Sequence, residues 1–429
     1  MKLPHKIRLL NHKLLHPNNA DKLEPAKNSA SLTRSYLHNW RSHLILIETA
    51  TLAYVLIRSL LLGFDCSRIF FYGNNSAKLA DFYRKWQPYI KEGKTTDAIL
   101  IMKKYILKYW IVISTLAVVA VTEVTLRLAL GLGKPVLSQT DSDTGYRFQP
   151  NQKVYRFGKN IAYNQYSQRS EPITIEKPQG KLRILMVGDS VLNGGNFIDQ
   201  SQIISELFEK KLIASAYPAE VLNASAGSWG IGNQLGYLRK FGTFNSDAVI
   251  LQIGTHDLLQ PTSTGEKIGK SSNYPNHPPL LAIEELFTRY GLPKILKIFR
   301  IRSKATQILQ SGDTDNLFQQ NMNSLKAMIE IIRSQNTPVF VLFTPNLNEL
   351  LYAPEIPQYK SRFIKLLNSL EIPIIDTHAD WSKNTDEPVK NYFIDRMHLT
   401  VRGNQATTNL LFEKLCVEQE LSACSTTKP

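Results

Sequence analysis

Gly188-Asp189-Ser190 follows the apolar run Leu182-Arg183-Ile184-Leu185-Met186-Val187, and Asp395-Arg396-Met397-His398 lies near the far end of the 429-residue chain. Together they supply a hydroxyl, an imidazole and a carboxylate. Serine-based acyl transfer needs a nucleophile, a base for its proton, a group that orients the base, and donors for the oxyanion. A serine at the carboxyl end of a buried strand, where the chain turns into a helix, stands at a sheet edge among backbone N–H groups. Asp395 and His398 share one turn, so the carboxylate can bond one imidazole nitrogen while the other faces Ser190. Two further blocks complete the set. Asn223-Ala224-Ser225-Ala226-Gly227-Ser228-Trp229-Gly230 offers Gly227, whose missing side chain lets a backbone N–H approach a ligand, and Gly254-Thr255-His256-Asp257 ends another apolar run. Each block alone has a plain structural explanation, since Asp and Ser are ordinary turn and cap residues and Gly227 could be a simple turn glycine. Trp229 could stack on a sugar ring or equally anchor its own loop.

From Lys181 onward strand and helix alternate. Short apolar, β-branched runs predict strands at 182–187, 219–223, 247–253, 338–343 and 372–376, and helices fit 199–214, 231–241, 316–334, 358–369 and 402–415. Such alternation calls for a parallel sheet covered by helices on both faces. It places each of the four blocks at or beyond the end of a strand or just before a helix. The stretch 258–315, with Pro261, Pro275, Pro278 and Pro279, reads as an irregular insertion at the carboxyl edge of the sheet, where it could shape a substrate cleft. Residues 133–180 read as an extended lead-in whose aromatic residues need packing partners.

The four blocks, in this order, resemble the SGNH (GDSL-type) hydrolase family over about residues 181–415. The resemblance implies an α/β fold, a flavodoxin-like three-layer α/β/α sandwich with a parallel sheet. It further implies Ser190 as nucleophile, His398 as general base and then acid, Asp395 as its orienter, and the N–H groups of Ser190 and Gly227 as arms of an oxyanion hole. One block departs from the pattern: the family's third block has Asn as a side-chain oxyanion donor, and here that position is His256. A neutral imidazole donates one hydrogen bond, with a reach and angle unlike those of an amide. The implied activity is an esterase acting on O-acyl, above all O-acetyl, esters of a carbohydrate. The same residues would also serve a carbohydrate O-acyltransferase, and His256 leaves room for a catalytically weak binding or assembly module. No metal and no organic cofactor is implied.

The formal charge of +15 is unevenly spread: residues 1–110 hold 18 Lys+Arg against 7 Asp+Glu, and the other 319 residues hold 33 against 29. A near-neutral body with a basic N-terminal section argues for membrane topology rather than nucleic-acid binding. Residues 1–42 read as a basic, disordered tail and 43–104 as a helical cytoplasmic or interfacial segment, with Leu44–Phe64 broken by Glu48 and Arg58. Residues 105–132 form the better membrane span, uncharged from Trp110 to Thr122, with a buried core helix as the alternative. Five lysines in 90–109 against two cations in 133–152 put the N-terminus in the cytoplasm and the catalytic domain in the periplasm or outside the cell. This makes a single-pass anchor and not a cleaved signal. Glu123 and Arg127, four apart, can pair. The span continues into Leu130-Gly131-Leu132-Gly133-Lys134-Pro135, an arrangement similar to anchored bacterial members of the family. Cys66, Cys416 and Cys424 lack metal-ligand spacing; Cys416 and Cys424 could pair in an oxidising compartment, but the polar tail 416–429 reads as frayed.

Overall fold

The structure is a computed structural model that describes residues 95–291, 311–351, 358–383, 388–418, 420, 421 and 424. The expectations for residues 1–42 and Leu44–Phe64 lie outside the described residues. Five strands, β5 (Leu182–Gly188), β6 (Ala219–Ser225), β7 (Ala248–Gly254), β8 (Val339–Thr344) and β9 (Ile374–Asp376), form one sheet in the order β6-β5-β7-β8-β9. Every neighbouring pair is parallel. Parallel strands buried on both faces must be apolar throughout, and the alternation shows it: Ile184 and Met186 pack into one layer, Leu185 and Val187 into the other.

One layer is built by Ile231–Phe241, Ser311–Ser334 and Gln358–Ser369 and the other by Ile204–Ala214 and Val401–Phe412. This is the three-layer α/β/α sandwich. Helices 231–241 and 358–369 end where the sequence pattern put them. The expected helix 199–214 is interrupted, because Asp199 caps a single 3-10 turn at Gln200–Gln202 and Ile203 is extended before the α-helix starts. The helix before β8 begins at Ser311 rather than at 316.

The lead-in is more than an extended segment. It makes two antiparallel hairpins, β1 (Ser138–Asp141) with β2 (Gly145–Phe148) and β3 (Gln152–Arg156) with β4 (Lys159–Tyr163). Their aromatic residues do find partners, as Tyr146 meets Phe148 and Tyr274 edge-on and Phe148 packs on Tyr163.

Before them runs helix α1 (Thr95–Leu130), of 36 residues. Its section Leu107–Leu130 has a mean hydropathy of 1.9 and is long and apolar enough to cross a membrane, 24 residues giving about 36 Å against a hydrocarbon core of about 30 Å. Trp110, Val121 and Leu128 are exposed, so this is not a buried core helix. Its end is fastened to the body. Glu123 pairs with Arg127 at 2.6 Å and accepts the backbone N–H groups of Ala282 and Ile283, while Arg127 donates to the Leu280 carbonyl. The buried Arg156 pairs with Glu285 at 2.5 Å, and Glu285 also accepts the N–H of Gly133.

At the other terminus Cys416 and Cys424 are disulfide-bonded. Leu421 and Cys424 are buried, and Tyr217 donates to the Cys424 carbonyl, so these two residues are docked on the body rather than frayed.

Candidate active site

The strand order places β5 between β6 and β7, so successive crossovers leave its two sides in opposite directions and open a crevice at its carboxyl end. Ser190 sits there, as the first residue of a short helix, Ser190–Asn193. Asp189 caps that helix, its Oδ1 accepting the N–H of Val191 at 2.7 Å. Gly188 is required by crowding: a Cβ there would stand 2.5 Å from Oε1 of Gln252, the same atom that accepts the Asp189 N–H.

His398 reaches Ser190 across the crevice, with Nε2 and Oγ 2.9 Å apart. Its Nδ1 lies 2.7 Å from Oδ2 of Asp395. The loop carrying both is locked by a bridge between Phe393 and Leu399 and by the N–H of Ile394 bonding the His398 carbonyl. Asp395 Oδ1 accepts the N–H groups of Met397 and His398 at 2.9 Å each. Burial opposes the charge on Asp395, but these donors and the imidazole outweigh it and hold the carboxyl below its usual range. The sequence-predicted Ser190, His398 and Asp395 are therefore in one hydrogen-bonded line. A model of the GDSL-like Lipase/Acylhydrolase family matches residues 186–406, more than half of the chain.

The chain belongs to the GDSL-like lipase/acylhydrolase family. As a member of that family it is a serine hydrolase acting on esters. No curated protein matches it. Solved structures similar to it include the acetyl xylan esterase AlAXEase, at 15% identity over 55% of this chain and 100% of that one with a TM-score of 0.34. Another is a lipase/acylhydrolase from Enterococcus faecalis, at 16% identity over 55% of this chain and 95% of that one with a TM-score of 0.34.

His256, the side chain expected to donate to the oxyanion, has one ring nitrogen engaged by Asp189. Its Nε2 lies 2.5 Å from Asp189 Oδ2, and the ring's Cε1 and Nδ1 lie over Gly254, where a Cβ would meet them at 2.6 and 2.8 Å. The reason is charge. Burial opposes protonation of the imidazole, yet the carboxylates of Asp257 and Asp189 raise it to about 9. Burial and the neighbouring Asp189 push Asp257 upward in turn, and its Oδ1 has no hydrogen-bond partner among the described residues. Asp189, His256 and Asp257 bring potential metal ligands within 4.8 Å of one another, and in this structure the closest two, 2.5 Å apart, are hydrogen-bonded to each other. A shared proton fits that spacing.

Both groups hold protons more tightly folded than unfolded: the contribution of His256 is complete below an ordinary imidazole value and is lost as pH climbs through about 9, while that of Asp257 is complete only below an ordinary carboxyl value and is gone above about 8. The thermal unfolding midpoint is expected to fall between pH 6.5 and 9. In His256→Asn that slope should flatten; an unchanged slope in fluorimetric melts would show that this cluster does not carry it.

Several residues escaped the sequence reading. Arg169, fully buried, donates to the carbonyls of Asn193, Gly195 at 2.7 Å and Ile198 at 2.6 Å, and so clamps the loop behind the nucleophile. Asn193 ties that loop to Ser225 and accepts from Tyr163. Trp229 is buried and donates to the Tyr146 carbonyl at 2.8 Å; it anchors its loop rather than presenting a sugar platform. Gly227 differs from Gly188: the nearest atom to a Cβ there would be the Tyr146 hydroxyl, at 3.9 Å.

Proposed function

We propose that this hydrolase is a membrane-anchored esterase that removes O-acyl groups, chiefly O-acetyl, from cell-envelope polysaccharide. The observation that carries the reading is the line Ser190, His398, Asp395, with contacts of 2.9 and 2.7 Å. Ser190 Oγ attacks the ester carbonyl while His398 Nε2 takes its proton, and Asp395 orients the imidazole and stabilises its charged form. Collapse of the tetrahedral intermediate expels the sugar alkoxide, which receives that proton, and leaves an acyl-serine. Water, deprotonated by His398, then releases the acid. The His398 side chain is 25% exposed, which leaves the acceptor, water in this reading, a route to the acyl-serine.

The N–H groups of Ser190 and Gly227 serve as oxyanion donors in this reading. A Cβ on Gly227 would meet the Tyr146 hydroxyl at an unstrained 3.9 Å, so Gly227→Ala should fold normally yet lose about 10²-fold in kcat/KM, since the added methyl occupies the reacting ester's place. A variant that keeps full activity would remove Gly227 from the reaction.

The apolar helix, the lysine asymmetry before it and the Cys416–Cys424 disulfide support an exported domain over 181–415, with 133–180 folded onto it, since disulfides persist in oxidising compartments. Two measurements test the proposal. A fluorophosphonate probe should label wild type and not Ser190→Ala, and added protease should digest the domain in spheroplasts but not in intact cells. Absence of labelling in folded protein would sink the esterase reading.

A further inference from the structure

Beside Gly227 lies a cavity of about 210 Å³ that the chemistry above leaves without a role. Its walls come from two segments outside the strand and helix layers. Hairpin β1–β2 contributes Tyr146, and the irregular insertion contributes Thr262, Lys267 and Tyr274, with Ser228 on the rim next to Gly227. Three features point to a ligand. The Tyr146 hydroxyl is buried with no hydrogen-bond partner among the described residues, in a residue only 2% exposed, and it is the atom that a Cβ on Gly227 would touch, at 3.9 Å. Burial raises it far above an ordinary phenol, so it stays protonated and able to donate. The Tyr274 ring, half-buried and edge-on to Tyr146 at 5.4 Å, is held by a 3.0 Å contact between its hydroxyl and Ser228 Oγ. Finally, among the described residues Lys267 is the one charged side chain on this wall, and no carboxylate of theirs lines it.

We propose that this cavity is a subsite for a glycosyl unit bearing a carboxylate, a uronosyl residue next to the acylated sugar. The inference rests on the esterase reading for its orientation, because the cavity starts where the oxyanion donor Gly227 stands. Hydroxyls and an aromatic face suit a pyranose, whose C–H face packs on a ring while its rim needs donors and acceptors. The Tyr146 hydroxyl gains a sugar oxygen in place of an unmet hydrogen bond, and Lys267 meets the carboxylate.

The test titrates the detergent-solubilised full chain by calorimetry with acyl-free tetragalacturonate and hyaluronan tetrasaccharide, against uncharged cellotetraose. At least one uronate oligosaccharide should bind roughly tenfold or more tighter than cellotetraose, and Lys267→Gln should erase that preference. Tyr146→Phe is the sharper variant: it removes an orphaned buried hydroxyl, so it should raise the unfolding midpoint while weakening the uronate about three- to tenfold. A merely structural hydroxyl would move the midpoint and leave binding alone, which overturns the proposal. Failure of both uronates to bind, or equal binding of cellotetraose, overturns it as well. Fluorophosphonate labelling run alongside separates the two readings: labelled protein without uronate binding sinks the subsite alone, and uronate binding without labelling keeps the subsite and sinks the esterase.

Discussion

Ser190→Ala and His398→Ala should each lower kcat on an aryl acetate by roughly 10⁴-fold or more, and the double variant should lose no more than the worse single one. The physical ground is the single contact of 2.9 Å between Oγ and Nε2. A base with no nucleophile to deprotonate contributes nothing, and a serine without its base remains an ordinary alcohol. Neither change should disturb folding, because Ser190 is not fully buried and the His398 loop keeps its Phe393–Leu399 bridge and its backbone bonds. Additive losses in the double variant would mean that the two side chains act in separate steps, and the relay would fall.

Arg169→Met should be the most damaging change away from the reacting atoms. The guanidinium is fully buried, and burial lowers its affinity for its proton, yet its N–H groups satisfy three carbonyls of one loop. Methionine fills the space and leaves those carbonyls without donors, at on the order of 3–5 kcal/mol, or a fall of about 10 °C in Tm. The loop follows the Ser190–Asn193 helix directly, so activity should drop further than stability alone explains. Equal unfolding midpoints for wild type and variant would show that the loop is held by other means.

How much of this was readable beforehand follows from what each residue's neighbours are. The five strands were legible because a strand buried on both faces must be continuously apolar, and residues 182–187 and 247–253 are close to that. β6 runs two residues past the expected strand 219–223, to Ser225, because Asn223 and Ser225 bond each other inside the fold and Asn193 bonds Ser225 there. Polar residues that satisfy each other look like a loop from outside. The line of Ser190, Asp395 and His398 was legible because the residue types are few and their positions on strand ends are set by the alternation. The orientation of His256 was not, since it depends on Asp189, 67 residues earlier, coming within 2.5 Å. Arg169 left no signal either: a cation that serves carbonyls has no partner residue type to search for. The docking of Cys424 depended on Leu421 and Tyr217, which no spacing rule links.

The joint at the foot of α1 has a mechanical meaning. A hydrolase on a slack tether sweeps a dome of surface and meets its ester at any height. Here Glu123, Arg127 and the Arg156–Glu285 pair tie the helix end to backbone only a few residues along the chain from the wall of the cavity beside Gly227. With α1 in a bilayer, the crevice would ride at one standoff and one tilt. Anchored in that way, the enzyme would work like a fixed blade, processing whatever passes its level while moving only sideways with the lipid.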